Sequence, residues 1–459
     1  MLFHSTRGKD SGKSFEEVLM QGLANDGGLF MPESWPQIDI EHIKQLESFI
    51  DVAKYIVPLF TKSSFTDEEV KELLDHTWHD FSDEDFAPIH NLDESKSILE
   101  LFHGPTAAFK DFGLQLAAAF FDKSLVKQNK TAIVLGATSG DTGSAAIDAC
   151  RRFDSIKSFI LLPDGNMSEV QRRQMTTVNS PNVFTLRING TFDDCQAIVK
   201  EAFKERSFLK EDQFLLAVNS INWVRIIGQI CYYFYAYNQL HQMGNLNFSI
   251  PTGNFGNVFA CYSAHKMGLP INKISVAVNN NDILHRFFSE NDYSKQLVHE
   301  TISPSMDISV ASNFERLAYD LFLDRDSTKC AMMFNNFPNN PIELDGETWQ
   351  KKDNLFYSSK VNDLDTTTMI QEIFQSNGYI LDPHTAVAAF EAFKKSDQGN
   401  HYVVLSTAHP AKFPKIYEEL GIEIKPLPLA LSGLFEKEET LYSLNADYNE
   451  IINFINLNN

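Results

Sequence analysis

Between residues 131 and 278 the chain repeats one unit: a short run rich in β-branched and large apolar residues, a turn, then a longer stretch with helical spacing. Residues 131–135 precede a helical pattern over 144–152, and 158–162 is the next apolar run. Residues 183–188 precede a pattern over 192–206, 214–218 precede the long aromatic stretch 222–240, 248–251 precede 256–266, and 273–278 close the series. Apolar runs of this kind are strands buried on both faces, and the helical segments between them are the crossovers that parallel strands need. Such crossovers are right-handed and lay helices over both faces of the sheet. The expected fold class is α/β, with parallel sheets flanked by helices.

Residues 1–95 lack this alternation. Phe15, Val18, Leu19 and Leu23 recur at helical spacing until Asp26-Gly27-Gly28 stops them, and residues 38–80 carry further helical patterns with acidic surface positions such as Asp67-Glu68-Glu69. This N-terminal unit reads as mainly helical, with no strand in 38–80. The chain's 459 residues suffice for about three units. They are expected at 1–95, at 96–215 as a smaller α/β domain, and at 216–459 as a larger one. The polar stretch 335–365 suits either a linker or a surface insertion. Beyond it, 369–377 and 386–395 read as helical and 402–406 as a buried strand.

Basic residues number 39 and acidic residues 61, a net charge of −22. A surface this acidic repels phosphate backbones and anionic lipid, which argues against nucleic acid and membranes as partners. A small anion remains admissible where helix N-termini and a few local cations build its site. The five cysteines are odd in number, and the closest pair, Cys231 and Cys261, is thirty residues apart; this suits neither a CxxC metal pair nor a disulfide ladder, and no metal is expected. The N-terminus has no apolar segment of the signal-peptide kind, and no apolar run nears the roughly eighteen residues of a membrane helix. A cytoplasmic chain is expected, its oligomeric state open.

Five segments carry chemistry. In Gly104-Pro105-Thr106-Ala107-Ala108-Phe109-Lys110-Asp111-Phe112, apolar neighbours would desolvate the Lys110 amine, lower its pKa and make it a nucleophile or base; paired with Asp111 it would be an ordinary surface lysine. Gly136-Ala137-Thr138-Ser139-Gly140-Asp141-Thr142-Gly143 lies between a strand and a helix, where backbone N–H groups and hydroxyls favour an anion, although a plain capped turn has the same composition. It lacks both the lysine of a nucleotide phosphate loop and the spacing of a dinucleotide turn. Thr252-Gly253-Asn254-Phe255-Gly256-Asn257 repeats the arrangement and suits one phosphate. Asn222 and Arg225 share a helix face, where Arg225 could fork onto a phosphate, or the pair could be a cap and a surface ion pair. Ser406-Thr407-Ala408-His409-Pro410-Ala411-Lys412 ends a strand with a hydroxyl and two cations; a Thr407 hydroxyl beside a pyridine nitrogen would leave that nitrogen unprotonated. Asp382-Pro383-His384-Thr385 reads as a helix-capping turn.

These segments, with Ser5-Thr6-Arg7-Gly8, the run 22–29 and the motif Ser303-Pro304-Ser305-Met306-Asp307-Ile308-Ser309, resemble in order the threonine synthases, a family in the fold group of tryptophan synthase β, across residues 5–413. The resemblance implies a fold-type II pyridoxal-phosphate enzyme. It implies that Lys110 holds pyridoxal 5′-phosphate through its amine and acts as catalytic base. It places Gly253, Asn254, Phe255, Gly256 and Asn257 on the cofactor phosphate and Thr407 at its pyridine nitrogen. Thr138, Ser139, Gly140, Asp141 and Thr142 would receive the substrate, with Asn222 and Arg225 for the substrate phosphate. The implied reaction converts O-phospho-L-homoserine and water to L-threonine and phosphate. The alternative is a phospho-lyase releasing 2-oxobutyrate, ammonia and phosphate. A non-catalytic relative would have lost the lysine or the loops, and this chain has all of them. Lys110→Ala is therefore expected to leave no borohydride-reducible cofactor adduct; a covalent adduct surviving in that variant would remove Lys110 as the anchor.

Overall fold

The repeating unit folds into two separate parallel sheets. In the computed structural model, which describes every residue except Ser139, Asn166, Ser396 and Asp397, the larger sheet has the order Phe356–Lys360, Lys273–Val278, Asn245–Pro251, Asn400–Ser406, Lys96–Glu100, Ile89–Asn91. All its pairings are parallel except the last. The smaller sheet is parallel throughout, in the order Tyr442–Asn445, Val183–Asn189, Ile156–Pro163, Thr131–Ala137, Gln213–Leu216. The central strands are buried along almost their whole length, as parallel strands covered on both faces must be.

Sheet membership departs from the expected boundaries at both ends. Lys96–Glu100 pairs with Asn400–Ser406 in the larger sheet, and the C-terminal strand Tyr442–Asn445 returns to the smaller one. Within 335–365 lies the strand Phe356–Lys360, so this stretch is neither a linker nor a mere insertion. Its polar composition belongs to an edge strand, which covers one neighbour and needs no continuous apolar run. The N-terminal unit is mainly helical, but Phe3–Ser5 pairs antiparallel with Phe30–Pro32. Strands of three residues are too short to show a two-residue period.

One helix ties these parts together. Trp223–Leu240 is apolar and aromatic all round, and every residue in it except Gln239 is buried. It packs against Phe49–Thr61 of the N-terminal unit, against Lys110–Gln128 and against Gly256–Lys266. Its crossing with Lys110–Gln128 is made by two glycines. A Cβ on Gly228 would stand 2.9 Å from the Phe112 carbonyl oxygen and 3.1 Å from Gly113 Cα, and one on Gly113 would stand 3.1 Å from the Arg225 backbone. Glycine inside a helix costs roughly 0.5–1 kcal/mol relative to alanine, so backbone contact is what these positions supply. Gly228→Ala should destabilise the fold by ~1–3 kcal/mol despite its better helix propensity. A melting temperature equal to or above that of the unaltered chain would refute this close crossing.

Candidate active site

Every chemistry-bearing loop leaves the C-terminal end of a parallel strand. Crossover helices begin at that end, so their free N–H groups and the positive ends of their dipoles gather there. Lys110, Thr138, Gly253 and Thr407 follow the strands Lys96–Glu100, Thr131–Ala137, Asn245–Pro251 and Asn400–Ser406. All four line one cleft of about 1850 Å³, together with Gly140, Asp141, Thr142, Arg225, Asn254, Phe255, Gly256 and Asn257. Ser139 lies outside the described residues.

Capping differs among the helix starts around this cleft. Ser14, Thr66 and Thr191 each close a helix start with a full capping box. The N-cap residues of Lys110–Gln128, Asp141–Arg151 and Gly256–Lys266 make no side-chain cap bond, although Thr138 Oγ1 accepts from Gly143 N at 3.1 Å in the second of them, and all three starts line the cleft. At the third of these, Phe255 takes the left-handed φ of 62° that turns the chain into the helix. Gly253 passes so close to the segment 304–306 that a Cβ would stand 2.9 Å from the Ser305 carbonyl oxygen. Asn257 Oδ1 accepts from the hydroxyls of Tyr232 at 2.6 Å and Tyr233 at 2.5 Å, while its buried Nδ2 has no partner among the described residues.

Lys110 is the first residue of its helix and keeps 12% of its side chain exposed, toward the cleft. Its partner is Asp141 Oδ2 at 3.3 Å, not the adjacent Asp111. Burial pushes the Lys110 amine below its ordinary pKa; Asp141 opposes this, and the cations Lys412 and Arg225 add to it. Asp141 itself is held well below the usual carboxylate range, because Lys412, Lys110 and Gln171 together outweigh the burial that works the other way. Burial likewise pushes the Arg225 guanidinium down to about 10.

Asn222 is a correction. Its Oδ1 accepts from Val224 N at 3.3 Å as the cap of the aromatic helix, and its Nδ2 donates to the Leu19 carbonyl at 2.8 Å. It is buried outside the lining of the cleft, so Arg225 stands there without it.

Three residues reach the site without having been assigned chemistry. The Asp382 turn caps the helix Pro383–Ala392 as its sequence suggests, but it also carries the His384 ring to the cleft. His384 Nδ1 lies 2.9 Å from Asp382 Oδ1, and its Nε2 accepts from Ser305 N at 3.2 Å. The Ser305 hydroxyl donates to Asp141 Oδ2 at 3.2 Å. Lys412 reaches the other oxygen of Asp141.

The residues fit pyridoxal phosphate on two counts. An uncapped helix start with an unpartnered amide beside it suits a phosphate, and a buried lysine of lowered pKa suits an aldehyde. A lysine of this kind among helix starts, at the C-terminal ends of parallel sheets, defines a pyridoxal-phosphate enzyme of α/β fold. Comparison with known proteins agrees: a family model described as "Pyridoxal-phosphate dependent enzyme" matches residues 98–331. Models described as "Threonine synthase N terminus" and "Threonine synthase, C-terminal" match residues 2–78 and 385–455. A threonine synthase of Pseudomonas aeruginosa is 45% identical over 447 residues, covering 96% of this chain and 94% of that one. The crystal structure of pyridoxal-phosphate-bound threonine synthase from Brucella melitensis superposes with a TM-score of 0.95 at 37% identity, over 100% of this chain and 99% of that one. The yeast threonine synthase structure gives 0.92 at 38% identity, over 100% and 98%. The chain belongs to the threonine synthase family, and its activity is that of a pyridoxal-phosphate dependent lyase in threonine biosynthesis.

Asp111, next to Lys110, titrates unusually. It accepts from Thr106 N at 2.9 Å and Thr106 Oγ1 at 2.7 Å, and burial lifts its pKa from 3.8 to about 7. The folded state thus favours the protonated acid, a contribution present below about pH 4 and lost as pH rises through about 7. Asp111→Asn retains both contacts in neutral form. Relative to the unaltered chain it should therefore gain stability between pH 4 and 8, by up to ~4 kcal/mol. Denaturant unfolding at several pH values checks this, and parallel stability curves would exclude it.

Proposed function

We propose that this cleft converts O-phospho-L-homoserine and water to L-threonine and phosphate. The observation that carries the substrate is Arg225. It is 4% exposed, its Nε has no partner, and among the described residues its recorded bond is a 3.4 Å contact from Nη1 to the Val218 carbonyl. A buried cation without a carboxylate is costly to keep, and an arriving anion supplies the missing partner. Arg225 lies on the aromatic helix, and the helix start that suits the cofactor phosphate is that of Gly256–Lys266. In this reading Arg225 serves the substrate phosphate and the Gly256 helix start serves that of the cofactor.

In this reading the N–H groups of Gly253, Asn254, Phe255, Gly256 and Asn257 hold the cofactor phosphate, and Thr407 faces the pyridine nitrogen. When bound, pyridoxal 5′-phosphate supplies a conjugated ring that takes up electrons from the substrate's Cα. Lys110 removes the proton at Cα, a task that the lowering of its pKa by burial favours. The start of the Asp141 helix, with Thr138 and Thr142 beside it, receives the substrate carboxylate. A second proton loss, at Cβ, then lets phosphate leave Cγ with the C–O bond's electron pair; water adds at Cβ, and protons return to Cγ and Cα. Five buried free thiols suit the reducing interior of a cell, where we place the activity.

The test is product identity when cofactor-loaded protein meets O-phospho-L-homoserine. Threonine and phosphate in equal amounts are expected. Oxobutyrate with ammonia would instead indicate the phospho-lyase, and absence of phosphate release would reject this substrate.

A further inference from the structure

Asp141 carries two lysines, which is one more cation than a carboxylate can neutralise. Its Oδ1 faces Lys412 Nζ at 2.8 Å and Gln171 Nε2 at 2.9 Å; its Oδ2 faces Lys110 Nζ at 3.3 Å and Ser305 Oγ at 3.2 Å. The first side is fixed. Lys412 is 0% exposed, sits in the short turn Pro410–Lys412 after the larger sheet's central strand, and also donates to the Thr106 carbonyl at 2.8 Å. Gln174 Nε2 holds that same carbonyl at 2.9 Å, and the Thr106 turn leads directly into Lys110. The second side opens on the cleft, where Lys110 must part from Asp141 to work on a ligand. A wholly buried lysine–carboxylate pair is poor at adding stability, since apolar residues of similar volume do as well or better. Its presence here calls for another reason.

We propose that Lys412 is a positioning residue: through Asp141 it keeps a carboxylate aimed at Lys110, and its surplus positive charge drives the proton off the Lys110 amine. The titratable groups facing that amine are Asp141 from the smaller sheet's helix, Lys412 from the larger sheet's turn, and Arg225 from the aromatic helix. Two cations against one anion leave a net positive surrounding, which opposes an ammonium at Lys110. Lys412 also joins the two sheets across the cleft, so the field at Lys110 is in place only when both halves are assembled. The proposal rests on Lys110 being the anchor.

Two readouts on the cofactor-loaded enzyme test it: the acid limb of the kcat/KM profile, and the pH midpoint of the bound cofactor's visible absorption. Lys412→Met removes a positive charge, so both should move up by about one pH unit. Asp141→Asn removes a negative charge, so both should move down. Lys412→Arg keeps the charge and should keep the midpoint. A lysine that merely braced the fold would lower yield or melting temperature and leave the midpoints in place. Unchanged midpoints in Lys412→Met, or shifts of the same sign in Lys412→Met and Asp141→Asn, overturn the proposal. If Lys412→Met does not fold, an unchanged midpoint in Asp141→Asn overturns it instead. Failure of the anchor assignment is separate and shows as a missing borohydride adduct at Lys110 in the unaltered enzyme.

Discussion

Removing a lysine amine from water while keeping it reactive is the demand on which the rest of this structure depends. Burial alone would lower the Lys110 pKa but would leave the amine free to rotate away. Asp141 holds it in direction, and Asp141 in turn stays ionised because Lys412, Gln171 and Ser305 also donate to it. A carboxylate this deep would otherwise take up a proton. The site is thus a small set of charges that are stable only in each other's company, and the fold exists to bring them together.

Two parallel sheets meet that demand economically. Each crossover delivers a helix start to the same end of its sheet, and the two ends face one cleft. At Gly256–Lys266 the N-cap residue makes no side-chain cap bond, whereas Ser14, Thr66 and Thr191 close their helix starts with capping boxes. The aromatic helix holds the sheets and the N-terminal unit in one orientation. Its Gly228, opposed to Gly113, lets Lys110 and Arg225 sit on helices in backbone contact.

Much of this was legible in the sequence, for a local reason. A buried strand followed by a glycine turn and a helix declares itself within about twenty residues, and the seven apolar runs read as strands are all strands. The loops at Lys110, Thr138, Gly253 and Thr407 were legible because glycine, hydroxyl and lysine stand at fixed offsets from those runs. What was missed was either short or non-local. Phe3–Ser5 is too brief to show a period, and Phe356–Lys360 is too polar. Asn222 and Arg225 stand three apart on one helix, yet only Arg225 reaches the cleft, because Leu19 of the N-terminal unit claims the Asn222 amide. His384 was legible as part of a cap, and nothing nearby in the chain marks Ser305 as its partner, 79 residues away.

The sequence by itself determined the alternation of strands and helices, the parallel class of the sheets, and the places of Lys110 and the glycine loops after their strands. Each of these depends on residue types within one turn or one crossover. Tertiary structure alone decided that Lys110 pairs with Asp141 and not with Asp111, that Lys412 shares that carboxylate, and that the first and last strands of the chain's α/β part exchange sheets. Those outcomes depend on which segments distant in sequence end up within about 3 Å, and on the dielectric that burial creates there. No local pattern of residues carries either quantity.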